Sequence, residues 1–178
     1  MRTGDTKRGC RVRSFAPVSG AGARVLVLGS MPGAASLAAG EYYAHPRNSF
    51  WPLMLEIFGA RGPLPYRRRL SLLRRNGVAL WDVLASCVRP GSSDAAIRRA
   101  TAEANDIAGF LSAHPRISLV CFNGAKAEEC YRRHVLPSLP PAPAGLRRRL
   151  LPSTSPAHAS LGYAAKLRAW RRALLEGE

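Results

Sequence analysis

The ten residues "YYAHPRNSFW" (42–51) hold two tyrosines, a histidine, an arginine, an asparagine, a phenylalanine and a tryptophan. Stacking faces set beside amide and guanidinium donors are what a pocket needs to hold an unpaired or extruded nucleic-acid base. A plainer use competes: Phe50 and Trp51 as core anchors at the start of a helix, Asn48 as its cap and Arg47 on the surface. Trp51 is assigned to the core. For Asn48 both uses stand, because a cap and a catalytic amide can occupy the same loop end. Upstream, "GSMPG" (29–33) is neither GxGxxG nor GxxxxGK[ST], which excludes a dinucleotide fingerprint and a Walker loop. It is a glycine-flanked turn whose amides can face an anion or a carbonyl.

A third segment, "LPSTSPAHAS" (151–160), sets small hydroxyls and His158 between prolines. Hydroxyls and backbone amides hold phosphates without reading sequence. Two single residues join these loops. Asn123 in "CFNG" ends one apolar run, to cap the next helix or touch a ligand edge; Asp82 in "LWDV" ends another, where it can orient a neighbouring loop.

Composition limits the partner. Twenty-seven basic residues stand against 11 acids, a formal charge of +16, and only Lys7, Lys126 and Lys166 among the basic ones are lysines. An arginine-rich codon usage accounts for part of that bias but not for the scarcity of acids, and such a charge attracts polyanions, nucleic acid first. The runs 67–69 and 147–149, both "RRR", are solvated faces that add to this field. The four cysteines and four histidines show neither CxxC nor paired ligand spacing, so no metal site is expected and reduced thiols are. No apolar run reaches 18 residues, so no membrane span is expected, and the chain reads as cytoplasmic. Residues 1–23 lack an apolar signal core and read as a flexible basic leader, with one domain over 24–178 and a monomer by default.

The elements that must position the three loops follow from hydrophobic spacing. Short apolar runs at 24–29, 78–83 and 117–124 end in a polar residue or glycine and predict strands buried on both faces; a shorter fourth lies at 146–151. Helical spacing covers 48–59, 65–77, 101–115, 125–136 and 163–176, with polar loops after residue 83 and over 137–145. Strands alternating with helices predict an α/β fold, a three-layer α/β/α sandwich on a central, mostly parallel four-stranded sheet. Sites in such sheets lie beyond the carboxyl ends of the strands, which collects 29–50, 82–93, 123–126 and 152–160 on one rim.

Four segments in this order and spacing, "GSMPG…YYAHPRNSFW", "GVALWDVLASC", "CFNGAKA" and "LPSTSPAHA", closely resemble the hypoxanthine-DNA glycosylase (DNA-deoxyinosine glycosylase) family of the uracil-DNA glycosylase superfamily, over about residues 24–172. The resemblance implies the α/β/α sandwich, no metal and no cofactor. It also implies monofunctional hydrolysis of the N-glycosidic bond of deaminated bases, chiefly hypoxanthine, in double-stranded DNA, with single-stranded DNA left open as a second substrate. In mismatch-specific uracil glycosylases the first motif is similar to G-I-N-P-G, its asparagine positioning water; that slot is Met31 here, and the resemblance moves the catalytic role to Asn48. It makes Tyr43 the aromatic that stacks on the extruded base, with Phe50 beside it in the pocket. The superfamily histidine that supports the leaving base is Leu151 here, so that support falls to amides near Ser30 and Met31, or to Asn123. Pro152, Ser153, Thr154, Ser155, Pro156 and His158 are the expected DNA contacts; His158 departs from the family's S-P-A-N-A, and its role, like that of Asp82, stays open. A uracil glycosylase of broader specificity and a non-catalytic DNA-binding protein with an eroded pocket are the alternatives; a nucleotide-cofactor enzyme lacks every phosphate-loop fingerprint.

Overall fold

A computed structural model describes residues 11–91, 93–139 and 145–176. The strands are β1 (Arg11–Arg13), β2 (Val25–Gly29), β3 (Val78–Asp82), β4 (Leu84–Val88), β5 (Glu103–Ala104), β6 (Leu119–Asn123) and β7 (Arg147–Leu151). The helices are α1 (Ala34–Ala39), α2 (Phe50–Ile57), α3 (Tyr66–Arg75), α4 (Ile107–Ala113), α5 (Ala125–His134) and α6 (Tyr163–Arg171), the last running on into a π-helical turn. β3, β2, β6 and β7 form the expected parallel four-stranded sheet, in that order.

Strand β2 is buried at every position because the sheet is covered on both faces. Alternation along the strands separates two cores. Leu26, Leu28, Val120 and Phe122 face α4 and α5, whereas Val25, Val27, Leu119 and Cys121 face α2, α3 and α6. Side chains of one strand thus feed both layers, and the α/β/α sandwich follows directly from the period of two.

The register matters most for what comes later. Gly29 is opposite Asp82, Leu28 opposite Phe122, and Asn123 opposite Leu151. The ends of four parallel strands therefore form one row, Asp82–Gly29–Asn123–Leu151.

Three expectations change. Of the expected leader, residues 1–10 lie outside the described residues, but the rest belongs to the fold: β1 pairs antiparallel with β4, and Val18 exchanges two backbone hydrogen bonds with Leu80. The polar loop expected after residue 83 begins instead with β4, the centre of a small antiparallel sheet, β1-β4-β5. That sheet is assembled from segments too short to show a pattern of their own. The helix expected over 101–115 shrinks to α4, because Asp106 caps it by accepting the Gly109 amide at 2.8 Å, while residues 103–104 are drawn into β5. The centre of the expected rigid loop, 140–144, lies outside the described residues.

Trp170 of α6 has no exposed surface; it packs edge-on against Phe50 at 5.8 Å and donates its indole N–H to the Pro152 carbonyl at 3.0 Å. It ties α6, α2 and the segment after β7 together. Trp170→Ala is expected to lose about 3–5 kcal/mol in chemical denaturation, whereas Leu175→Ala, at a position 55% exposed, stays within about 0.5 kcal/mol of the unsubstituted protein.

Candidate active site

The segments leaving the row of strand ends converge as expected, and hydrogen bonds hold them. Thr154, almost wholly buried, is the hub. Its amide donates to Asn123 Oδ1 and its hydroxyl accepts from Asn123 Nδ2, both at 2.9 Å. Its carbonyl accepts from the Ser49 amide at 3.0 Å and the Ser49 hydroxyl at 3.2 Å. The end of β6, the loop after β7 and the start of α2 are joined through this one residue. Gly124, at φ +92°, permits the close approach: a Cβ there would lie 2.8 Å from Ser153 Cβ.

Asn48 precedes this junction and is half-buried. Its Oδ1 accepts the Phe50 amide at 3.0 Å, and its own amide donates to the His45 carbonyl at 2.8 Å. The Asn48 side chain therefore holds the first residue of α2 from just outside the helix. The bond from Phe50 fixes which side-chain atom is oxygen, and a carbonyl oxygen keeps a second lone pair to accept a hydrogen bond from water. Ser49, rather than Asn48, is the N-cap residue, and its hydroxyl is turned to Thr154 instead of into α2.

Tyr43 departs from ordinary backbone geometry, with φ at +55°. A tyrosine in the left-handed region costs on the order of 1–3 kcal/mol and persists where the surroundings impose it. Its ring stacks on Phe50 with centroids 4.1 Å apart, and its hydroxyl is buried without a hydrogen bond among the described residues. Burial, reinforced by the nearby Asp82 charge, drives that phenol well above its ordinary range. Phe50 itself has no exposed surface. Expected as a base contact, it instead backs Tyr43 from within the core, so the stacking surface that reaches the rim is that of Tyr43.

Asp82 is the buried charge of the site, 3% exposed. Ser14 donates its hydroxyl to Oδ2 at 2.8 Å, and Asn105 holds the Asp82 carbonyl at 2.8 Å. Its Oδ1 leans over Gly29 so closely that a Cβ there would collide with it, and that Cβ would lie 3.1 Å from the Tyr43 hydroxyl. Burial raises the carboxyl to about 7; the Asp94 carboxylate adds to the rise, while Ser14 and Arg89 oppose it. Below the turn, Arg89 is 2% exposed, donates to the Pro32 carbonyl at 2.6 Å and pairs with Asp94 at 3.6 Å. Asp94 in turn accepts the Ser30 hydroxyl at 2.5 Å. Ser30 and Met31 are both buried at this turn, Met31 with its side chain in the core. Asn123, expected at the base, holds Thr154 through both its oxygen and its nitrogen, which makes it a clamp of the rim with one N–H left over.

Beside Asn48 opens a cavity of about 140 Å³ lined by Arg47, Ser49, Thr154, Ser155, His158 and Lys166 among others. Of the expected DNA contacts, Pro152, Ser153, Ser155 and Pro156 are partly exposed and His158 is exposed, whereas Thr154 is buried as the hub. Lys166 is 6% exposed, donates to the His158 carbonyl at 2.8 Å, and has no carboxylate partner among the described residues; burial lowers its pKa. Sequence reasoning missed Ser14, Arg89, Asp94 and Lys166. Only Lys166 left a trace, as one of three lysines in an arginine-rich chain. Among the described residues no cluster of metal-binding side chains forms, and no helix is long and apolar enough to cross a membrane.

The profile of the Uracil DNA glycosylase superfamily matches residues 17–176. A hypoxanthine DNA glycosylase of Methanosarcina acetivorans is 36% identical over 135 residues, 71% of this chain and 84% of that protein. Its counterpart from Methanosarcina barkeri is 37% identical over 118 residues, 66% and 73% of the two chains. The solution NMR structure of a candidate uracil DNA glycosylase from Methanosarcina acetivorans superposes with a TM-score of 0.77 at 30% identity, over 94% of this chain and 98% of that one.

The raised Asp82 carboxyl has a consequence for stability. An acid that binds its proton more tightly when folded stabilises the fold fully below its unfolded pKa, and that contribution is lost as pH rises through the folded value. For Asp82 the window runs from 3.8 to about 7. Thermal melts of Asp82→Asn and the unsubstituted protein, compared from pH 4 to 8, are expected to show the variant gaining relative stability through that window and no further above it.

Proposed function

The chain belongs to the Uracil DNA glycosylase superfamily, and we propose that it hydrolyses the N-glycosidic bond of hypoxanthine in duplex DNA, leaving an abasic site. The observation that carries this reading is the Asn48 carboxamide, oriented by the Phe50 amide at the rim where all four strand ends meet. The two hypoxanthine DNA glycosylases support the choice of base.

Cleavage of a purine nucleoside places positive character on the sugar and negative charge on the base, and it requires a water at C1′. Asn48 Oδ1, anchored on one lone pair, orients that water with the other. An amide does not titrate, so this positioning is independent of pH. Tyr43 stacks on the extruded base, a contact worth about 1–3 kcal/mol. A damaged pair unstacks more readily than a normal one, which supplies selectivity before any contact with the base. The segment 152–158 lies against the backbone, with Lys166 and Arg47 meeting a phosphate in the adjoining cavity. The net charge of +16 brings the duplex in.

Two variants test the part played by Asn48. Asn48→Ala removes both the helix-start bond and the water site, so single-turnover cleavage of a duplex with one deoxyinosine is expected to fall at least about 100-fold, with a stability loss of about 1 kcal/mol. Asn48→Asp keeps an oxygen acceptor for both the Phe50 amide and the water, so stability and cleavage are both expected to be retained. Undiminished cleavage in Asn48→Ala would move catalysis elsewhere. Faster release of uracil than of hypoxanthine would favour the broader uracil glycosylase, and tight salt-dependent binding without cleavage of any lesion would favour a binding protein. Lys166→Met is expected to weaken duplex binding and flatten its salt dependence, with the cleavage rate of bound substrate little changed.

A further inference from the structure

Water positioning and base stacking leave one requirement of the reaction unassigned: where the negative charge on the departing base goes. The row of strand ends narrows the choice. Leu151 is buried and has no donor to offer. The Asn123 carboxamide is held to Thr154 through both its oxygen and its nitrogen, and its remaining N–H can donate a hydrogen bond but has no proton to transfer. The Ser30 hydroxyl donates to Asp94, and Asp94 is itself paired with Arg89. The Tyr43 phenol holds its proton too tightly to transfer it.

Asp82 differs from all of these in position and in surroundings. It ends the edge strand β3, directly opposite Gly29 of the neighbouring strand. One carboxyl oxygen, Oδ2, is held by Ser14; the other, Oδ1, leans into the space that only a glycine leaves open, beside the buried Tyr43 hydroxyl. On the reading above, a base stacked on Tyr43 would bring its edge toward the turn that this oxygen overhangs.

The geometry points to Asp82 as the proton donor to the departing base, an inference that rests on the glycosylase reading above. The bond between C1′ and the base nitrogen breaks with its electron pair remaining on the base. The Asp82 carboxyl proton passes to a ring nitrogen, and the base leaves neutral. Water held by Asn48 adds its oxygen to C1′, and the proton it sheds passes through solvent to restore the Asp82 carboxyl. Hypoxanthine and the abasic deoxyribose are the only products, and no other reactant is consumed.

The charged and titratable groups around Asp82 favour this role. Its carboxyl, at about 7, keeps a proton in a substantial fraction of molecules at neutral pH and can still give it up. Tyr42 and Tyr43 stay neutral beside it, both raised by burial and by the Asp82 charge. Asp94 pushes the carboxyl upward, and Arg89 with the Ser14 hydroxyl restrains it. Ser14 thus offers a handle on Asp82 that does not touch the substrate.

The test is a single-turnover pH profile, from 5 to 9, on a duplex carrying one deoxyinosine. Unsubstituted protein is expected to lose rate about tenfold per pH unit above the Asp82 value. Asp82→Asn is expected to be slower by at least about 100-fold at pH 6, without that alkaline decline. Its deficit should shrink on a substrate whose leaving base is more acidic, such as deoxyxanthosine. Ser14→Ala, which removes the bond that stabilises the carboxylate, is expected to move the decline to higher pH. This variant keeps the proposal testable should Asp82→Asn fold poorly. An unchanged alkaline limb in Asp82→Asn, or in Ser14→Ala, would overturn the assignment while leaving the glycosylase intact. An unsubstituted protein that cleaves no deaminated base at any pH would overturn the glycosylase reading itself, and this proposal with it.

Discussion

Parallel strands in register end at the same level, and here four of them end in Asp82, Gly29, Asn123 and Leu151. Every feature of the candidate site refers back to that row. Gly29 has to be glycine because Asp82 and Tyr43 both lean over it. Asn123, at the end of β6, reaches Thr154 in the segment that follows the neighbouring strand. A slip of one residue in any pairing would turn these side chains to the opposite face and dismantle the rim. The two hydrophobic cores that hold the register are therefore also what positions the chemistry.

The site economises on residues by giving structural groups a second task. Asn48 holds the start of α2 and still has a lone pair directed outward. Thr154 satisfies its own buried amide, hydroxyl and carbonyl while joining three loops. Such dual use makes the rim rigid, because moving these groups means breaking buried hydrogen bonds. Tyr43 shows the cost: a left-handed backbone and a buried hydroxyl with no hydrogen bond among the described residues.

Electrostatics divide between the surface and the interior. The outer charge is strongly positive and long in range, suited to attracting a duplex but screened by salt. Beneath the glycine turn the balance is different, with Asp82, Asp94 and Arg89 packed close together, two acids for one base. A buried carboxyl that shares its neighbourhood with a second one does not ionise easily. The protein thus combines a cationic exterior, which binds a polyanion, with a small interior region that favours keeping a proton.

The fold class, the parallel sheet and the location of the site at its carboxyl rim were legible in the sequence, because each depends on local apolar runs and the residues that end them. Asn48, Tyr43 and the segment 152–158 were legible for the same reason: stacking, amide and hydroxyl groups crowded into short stretches between elements. The small antiparallel sheet was not, since Arg11–Arg13 and Leu84–Val88 acquire strand character only by pairing across 75 residues of chain. Nor could the sequence distinguish Asn123 as a clamp from Asn123 as a base contact, or show that Phe50 is covered by Tyr43. Asp82 was visible as an acid at a strand end and nothing more. Its raised pKa belongs to burial and to Asp94, Arg89 and Ser14, neighbours brought from other segments. Composition and spacing determine which elements form and which side chains they carry. Which of those side chains lose water and face one another is a property of distances between segments, and only tertiary packing sets those.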